Sequence, residues 1–453
     1  MAKVFISFLG TGNPSVKADQ PGYDVLTYRF ENDERIYTSM FAQRAIIEKH
    51  GVASFERICL MMTPESQAKH RHLLVEELLG IGCTETQLIE DASITTNQNT
   101  EQQWEWFDSL QKLINDGDEV IFDFTHGFRS VPIIFSTAIS FLKKVKRFTL
   151  LHAHYGYMTE RGDSKQGIVG EGEIIDMAKF YRINEWADGV ARLVDMADAS
   201  KLAELADEGQ DNGFAALNDQ KLTQALRDLT DLIKNIDINN VGTKADEALT
   251  LIADKQQQCS GADAQLLKMV HNKFIGLAIQ GSGRYDHDYF QLQLVLTEML
   301  LKHGLHMQAF TVMRECIASI GMLGATGKYA KKALNSNDGR RYRKNIGELF
   351  VGLCITPRIE WRQENEEKRK TLPEQELQYF DNMMLPFFNQ LESKNIASLL
   401  HVLAHNMSKY RNGLDHAWTS DQSAPTDIPV KGQYFLAQLR QVIGLLVDYE
   451  LVK

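Results

Sequence analysis

The chain has 453 residues, 43% of them hydrophobic, and a formal net charge of -11. That length exceeds one typical domain and sets an expectation of two or three, each with enough apolar material for a core. The acidic balance argues against a protein that coats nucleic acid, because nonspecific phosphate binding needs a broad basic surface, although a local basic groove stays compatible.

The chain starts "MAKVFISFLGTGN", without a basic segment leading into a long apolar stretch, and no run of about 18 uncharged apolar residues occurs. A cytoplasmic protein with no membrane association is expected. Five scattered cysteines, Cys59, Cys83, Cys259, Cys316 and Cys354, form no CxxC pair. This fits a reducing compartment and argues against a structural zinc site.

From residue 1 to about 176, short apolar runs predict strands at 3–9, 23–30, 55–62, 86–90, 118–124 and 147–153. Helical patterns fall between them near 39–50, 66–79, 99–115 and 131–145. Strands that alternate with helices and are apolar on both faces predict an α/β domain, a mainly parallel sheet covered on both sides. Beyond residue 177 the strand runs stop. In "FYRINEWADGVARLVDMA", Ile183, Trp186, Val190 and Val194 recur at helical spacing, and further amphipathic stretches fall at 220–238, 243–258, 263–280, 288–304, 306–321, 375–394, 396–412 and 432–450. The second part is therefore expected to be all-α. Three regions are expected: 1–176, a helical linker or insert at 177–290, and 291–453.

Two loops carry polar groups where a ligand would sit. "FLGTGNP" places Gly10, Thr11, Gly12 and Asn13 at the carboxyl end of the first strand. "FDFTHGFRSVP" places Thr125, His126, Gly127, Phe128 and Arg129 between the fifth predicted strand and a helix that Ser130 and Pro132 suit as an opening. In open parallel sheets ligands lie beyond the carboxyl ends of the strands, where strand order reverses, so both loops are expected to open on one crevice. Glycines let backbone approach a phosphate, a helix start favours negative charge and Arg129 offers a bidentate fork. The "GTG" spacing lacks the third glycine of a dinucleotide fingerprint, which weighs against a dinucleotide-dependent enzyme. "HAHYGYMTERGD" (152–163) offers Tyr155 or Tyr157 either to this pocket or to packing between protomers.

"DFTHGFRSVP", with "FLGTGNP" and "YTSMFAQRAIIE" (37–48), resembles the CARF domains of CRISPR-associated ancillary proteins from type III systems, over roughly residues 1–176. The resemblance implies a Rossmann-like fold that binds a cyclic oligoadenylate, such as cyclic tetra- or hexa-adenylate, in a pocket shared across a homodimer. It assigns the ring's contacts to Gly10, Thr11, Gly12, Asn13, Thr125, His126, Gly127, Phe128 and Arg129. Slow hydrolysis of the ring near Thr11 or His126 is a compatible addition.

In the helical half, "HNMSKYRNGLDHAW" (405–418) sets Arg411 and His416 five residues apart. With 21 arginines and 13 histidines in 453 residues, composition alone yields about 0.6 such matches by chance. A second match, Arg147 and His152, falls in a predicted strand where an odd offset separates the side chains. Five residues turn about 140° around a straight helix, so Arg411 and His416 can share a substrate only if Gly413 breaks or bulges the helix, or if two copies build one site across a dimer axis.

"RNGLDH" behind a CARF-like domain resembles the R-x4-H signature of HEPN ribonucleases, with a looser match at "FTVMRECIAS" (310–319). The resemblance implies a metal-independent endoribonuclease with Arg411, Asn412 and His416 as catalytic residues, no cofactor and no metal ligands, acting on single-stranded RNA and not DNA as a homodimer or higher even-numbered homo-oligomer. "KYAKKALNSNDGRRYRKN" (328–345) concentrates basic charge at Lys331, Lys332, Arg340, Arg341, Arg343 and Lys344, with Tyr342 for stacking, and is the expected RNA contact. A ligand-sensing regulator or adaptor without nuclease activity is the other class these features allow.

Overall fold

Strand β1, Lys3–Leu9, is buried at every position after Lys3 because both of its faces are apolar. It lies inside an eight-stranded sheet with β2 Leu26–Phe30, β3 Ile36–Ser39, β4 Arg57–Met62, β5 Leu88–Asp91, β6 Glu119–Asp123, β7 Thr149–Glu160 and β8 Gly170–Asp176, in the order β3-β2-β8-β7-β6-β1-β4-β5. The computed structural model describes residues 2–12, 22–31, 33–92, 94, 99–126, 131–162, 169–207, 214–279, 285–325, 336–419 and 423–452. They form two compact units, Met1–Glu185 and Trp186–Lys453.

The sheet is parallel from β7 through β6, β1 and β4 to β5, and again between β2 and β8, while β2–β3 and β7–β8 are antiparallel. This is the mainly parallel sheet that the alternating pattern predicts. From β1 the chain runs first to β2 and β3 at the far edge, then through β4 and β5 on one side of β1, and returns to the other side as β6, β7 and β8. Strand order thus reverses between β1 and β6.

Helices α1 (Ala42–His50) and α2 (Pro64–Gly80) cover one face, where Phe5, Ile58, Leu60 and Ile121 meet Ile46, Ile47, Leu74 and Leu78. Helices α3 (Thr100–Leu113) and α4 (Val131–Val145) cover the other, where Val4, Ile6, Phe8 and Phe122 meet Leu110, Phe135, Ile139 and Leu142. Two strands lie outside the six expected from sequence. β3 is a four-residue edge strand, and β8 reads GEGEIID, with glycines and glutamates that strands disfavour. Pairing to β7 and β2 makes β8 a strand in spite of its composition.

Helix α5 (Ala178–Met196) begins in the first unit and ends in the second. The second unit contains α6 (Ser200–Asp207), α7 (Gln220–Lys234), α8 (Val241–Gln256), α9 (Gly261–Phe274), α10 (His287–Lys302) and α11 (His306–Met322). Among the described residues seven further helices follow, Ser336–Tyr342, Glu348–Ile355, Glu366–Arg369, Glu374–Tyr379, Leu385–Ser393, Ile396–Asp415 and Ile428–Asp448, and no strand occurs. α11 is buried on nearly all sides, from Ala309 to Met322, and α10, Glu348–Ile355, Ile396–Asp415 and Ile428–Asp448 pack against it. The helix expected over 375–394 is split by a wide π-type turn at Phe380–Met384, immediately before Pro386, which has no N–H to continue the ladder. Among the described residues no helix is long and apolar enough to cross a membrane.

Phe122 is fully buried on β6, with its ring edge-on to Phe135 at 5.3 Å. Phe122→Ala should cost about 3–5 kcal/mol of stability, the usual range for an emptied aromatic site. A denaturation midpoint of the first unit that does not shift would refute this packing.

Candidate functional site

The loops after β1 and β6 meet where strand order reverses. A Cβ on Gly10 would stand 2.4 Å from the His126 backbone carbonyl, so only glycine lets the two loops touch. Gly12 has φ +65 and would place a Cβ 2.7 Å from the Gly22 carbonyl, so conformation and space both demand glycine there. These glycines are the site's geometry, not spare turn residues.

Beneath the loops lies a fully buried carboxylate. Asp123 accepts from the Ser7 hydroxyl at 2.7 Å and from the Thr125 backbone N–H at 2.9 Å, and the Thr125 hydroxyl donates to it as well. Burial pushes the Asp123 carboxyl up, while the hydrogen bonds from Thr125 and Ser7 pull it part of the way back. Thr125 Oγ1 in turn accepts the Gly156 N–H at 2.8 Å. The hydroxyl expected to face a ligand is therefore committed to fixing the loop.

The crevice itself is a cavity of about 250 Å³ lined by Phe8, Leu9, Gly10, Thr11, Gly12, Tyr23, Met61, Met62, Thr63, Ile94 and His126. Its polar wall is an aromatic relay. The Tyr23 ring stands edge-on to His126 at 4.7 Å and to His70 at 4.9 Å. His70 Nε2 donates to the Thr11 carbonyl at 3.0 Å, which leaves His70 Nδ1 as a buried acceptor without a partner. His126 is half-buried by area, yet its Nε2 is sealed from solvent and unpartnered. Burial, with nearby His70, pushes His126 down to about 4, so it is neutral at pH 7. Burial raises the Tyr23 phenol, against the pull of the Gly12 and Gly10 backbone. Thr63 opens α2 at the cavity wall with a reciprocal cap to Ser66, so the positive end of that helix also borders the space.

Of the predicted ligand residues, the structure brings Gly10, Thr11, Gly12 and His126 to one cavity. Asn13, Gly127, Phe128 and Arg129 lie outside the described residues. Tyr155 and Tyr157 are half-exposed on β7, stacked 6.5 Å apart, and do not line the cavity. Sequence reading missed Tyr23 and His70. His70 had a signal, since Ser66, His70, Leu74 and Leu78 recur every four residues and all are buried on α2. Tyr23 had none: the strand expected over 23–30 begins only at Leu26, which leaves Tyr23 in the loop before it.

In the second unit, Arg411 lies in the last turn of Ile396–Asp415 and His416 is the residue that ends it. The helix does not break at Gly413. The His416 N–H still bonds the Asn412 carbonyl at 3.0 Å, and Gly413 instead makes room for Trp418, whose indole would lie 2.4 Å from a Cβ. The reversal follows at Ala417 and Trp418, both at positive φ. A bulge that unites Arg411 and His416 within one chain is thus ruled out here. Asn412 and His416 are exposed, whereas Arg411 Nη2 pairs with Asp415 at 2.7 Å and its Nε is buried without a partner.

Arg314, in the loosely matched "FTVMRECIAS", pairs with Glu348. Hydrogen bonding to Arg314 chiefly, with Arg411 contributing, holds the Glu348 carboxyl below its usual range. The basic stretch divides. Arg340, Arg341 and Lys344 are exposed, while Lys331 and Lys332 lie outside the described residues. Arg343 is bound to the Glu315 carboxylate at 2.6 Å and to its carbonyl at 2.7 Å, and Tyr342 is buried against Tyr379. Arg343 is thus engaged by Glu315 of α11 and Tyr342 by Tyr379, while Arg340, Arg341 and Lys344 face solvent. Lys344 and Glu348 border a cavity of about 470 Å³ with Tyr379 and Gln375.

No protein-family model matches the chain. A protein described as "CRISPR-associated protein MJ1674", from Methanocaldococcus jannaschii, is 23% identical over 260 residues, which cover 48% of this chain and 40% of that protein. The chain is thus related to a CRISPR-associated protein and matches less than half of its length. A solved structure described as Enterococcus italicus Csm6 bound to cyclic hexa-2'-fluoro-hexa-dAMP overlays 99% of this chain and 95% of its own, with 11% identity and a TM-score of 0.46.

Because His126 is held neutral in the fold at about 4 against an unfolded value near 6.5, it contributes stability above pH 6.5 that is lost as pH falls toward 4. The thermal midpoint should drop between pH 7 and 4.5, and His126→Gln should reduce that drop. Identical pH profiles for the two proteins would remove this reading of the sealed imidazole. Gly10→Ala should leave the far-UV spectrum intact while it forces the two loops apart and lowers the thermal midpoint of the first unit.

Proposed function

We propose that this relative of a CRISPR-associated protein is a CARF–HEPN ancillary ribonuclease of a type III system: its first unit senses a cyclic oligoadenylate, and its helical unit cleaves single-stranded RNA without a metal. The observation that carries the reading is the meeting of the Gly10–Gly12 and Thr125–His126 loops over one cavity at the strand-order reversal. Backbone close to a glycine pair, a helix start and neutral imidazole and phenol groups suit phosphodiesters and bases better than a small anion alone.

The cavity's size supports a shared ligand. At about 250 Å³ it is smaller than the roughly 300–1,000 Å³ of pockets that hold a whole drug-sized ligand, and a ring of four or six adenylates is larger still. One chain holds part of the ring, and a second copy holds the rest.

The unbroken helix supports the same stoichiometry for catalysis. With Arg411 and His416 on different faces of one helix end, a working pair takes Arg411 from one copy and His416 from the other. The ribose 2′-OH attacks the adjacent phosphorus as its proton leaves, and the departing 5′-oxygen is protonated. His416 serves this proton transfer. Arg411 stabilises the charge on the pentacoordinate phosphorus, and Asn412 orients the phosphate. In the free chain Asp415 neutralises Arg411. Ring binding favours the arrangement of copies in which Arg411 meets the scissile phosphate instead, a population shift set by differential affinity. Arg340, Arg341 and Lys344 guide the RNA backbone toward it.

RNA cleavage in EDTA, with and without cyclic tetra- or hexa-adenylate, tests this. Cleavage should require one of the rings, and Arg411→Ala or His416→Ala should each lower it by about 10²–10⁴-fold. Mixing the two inactive variants should restore part of the activity, because the mixed dimer keeps one site with both groups. Ring binding without turnover under any condition would instead identify a sensor or adaptor.

A further inference from the structure

The first unit contains a convergence of side chains that the reading above does not use. His50, at the end of α1, and His152 and His154, on β7, bring their ring nitrogens within 4.8 Å of one another. His50 Nε2 stands 2.9 Å from His154 Nε2, and the His152 and His154 rings are stacked, at 8° between planes and 5.3 Å between centroids. His152 Nδ1 donates to Asp176 Oδ2 at 2.6 Å.

We propose that His50, His152 and His154 ligate one divalent transition-metal ion, zinc by preference, with Asp176 as the carboxylate that orients His152. Three imidazoles converging on one point are the donor set of zinc and its neighbours rather than of magnesium or calcium, which take oxygen. A carboxylate on the far nitrogen of a ligating imidazole fixes its tautomer and leaves the other nitrogen's lone pair for the metal, which is the part Asp176 plays for His152. Asp176 is itself held by the Ala153 and Ala178 N–H groups at 3.0 and 2.9 Å, so its direction is set by the fold.

Geometry fits with small adjustment. Two nitrogens on one zinc ion stand at most about 4.2 Å apart, twice the metal–nitrogen bond. The 2.9 Å pair is already inside that limit, and His152, with a side chain 37% exposed, has the freedom to close the rest and gives the ion its access from solvent. The competing structure is a direct imidazole–imidazole hydrogen bond between His50 and His154. It satisfies only that pair and gives no reason for the third ring to face them. The ion would clamp the end of α1 to β7, the strand whose Gly156 N–H holds the Thr125 hydroxyl beside the crevice. The site is structural and distinct from the proposed metal-independent RNA chemistry.

The test uses the full chain after dialysis against EDTA, titrated with Zn²⁺ by calorimetry and with Co²⁺ by visible absorption. The wild type should bind one equivalent per chain, show the intense d–d bands of low-coordinate cobalt and melt at a higher temperature with Zn²⁺. His152→Gln, at the partly exposed position, and His50→Gln should each lose the bands and the thermal shift, and Asp176→Asn should weaken binding about 10–100-fold. A wild type that takes up no stoichiometric ion overturns the proposal, as does unchanged binding in both histidine variants. If His50→Gln fails to fold, His152→Gln decides.

Discussion

The first unit depends on one buried carboxylate. Asp123 closes β6, receives the Ser7 hydroxyl from β1 and the Thr125 amide and hydroxyl from its own loop, and through Thr125 Oγ1 reaches the Gly156 N–H of β7. A carboxylate out of water is costly unless donors surround it, and here they come from β1 and from the loop after β6, with β7 tied in through Thr125. The carboxyl ends of β1 and β6 are consequently held level with the middle of β7. The touching of Gly10 and His126 backbones, and the cavity they border, follow from that alignment.

A second constraint governs the helical unit. Gly413 does not interrupt Ile396–Asp415 but accommodates Trp418, and the chain turns only after Asp415. A glycine whose absent side chain serves packing rather than flexibility leaves Arg411 and His416 at fixed angular separation. Arg411 meanwhile sits among acids: Asp415 pairs with it and Glu348 lies near, itself engaged by Arg314. Charge compensation keeps the chain neutral at that point, and any anion must displace a carboxylate to reach Arg411.

Much of this was legible in the residues. The parallel core strands, both flanking helix layers and the change to an all-helical second part followed from apolar period alone, since a strand buried on both faces and a helix with one apolar stripe leave different spacings. The two glycine-bearing loops were legible as well, because loops at strand ends must carry the polar groups. β8 was not, because its GEGEIID composition argues against a strand and only partners on both sides overrule it. The inward placement of Arg343 and Tyr342 was not legible either, for the mirror reason. Charge and aromaticity suggested a surface, yet Glu315 and Tyr379, distant in sequence, draw them inward.

The sequence by itself determined what is periodic or local: element types, the polar loops, and the five-residue offset of Arg411 and His416. Tertiary structure alone decided which distant residues meet. Tyr23 and His70 join His126, and His50 joins His152 and His154, because a sheet sets far-apart segments side by side at register. No spacing rule encodes such meetings. They depend on strand order and on which face each side chain takes, and those are fixed only when both layers of helices close over the sheet and exclude water from it.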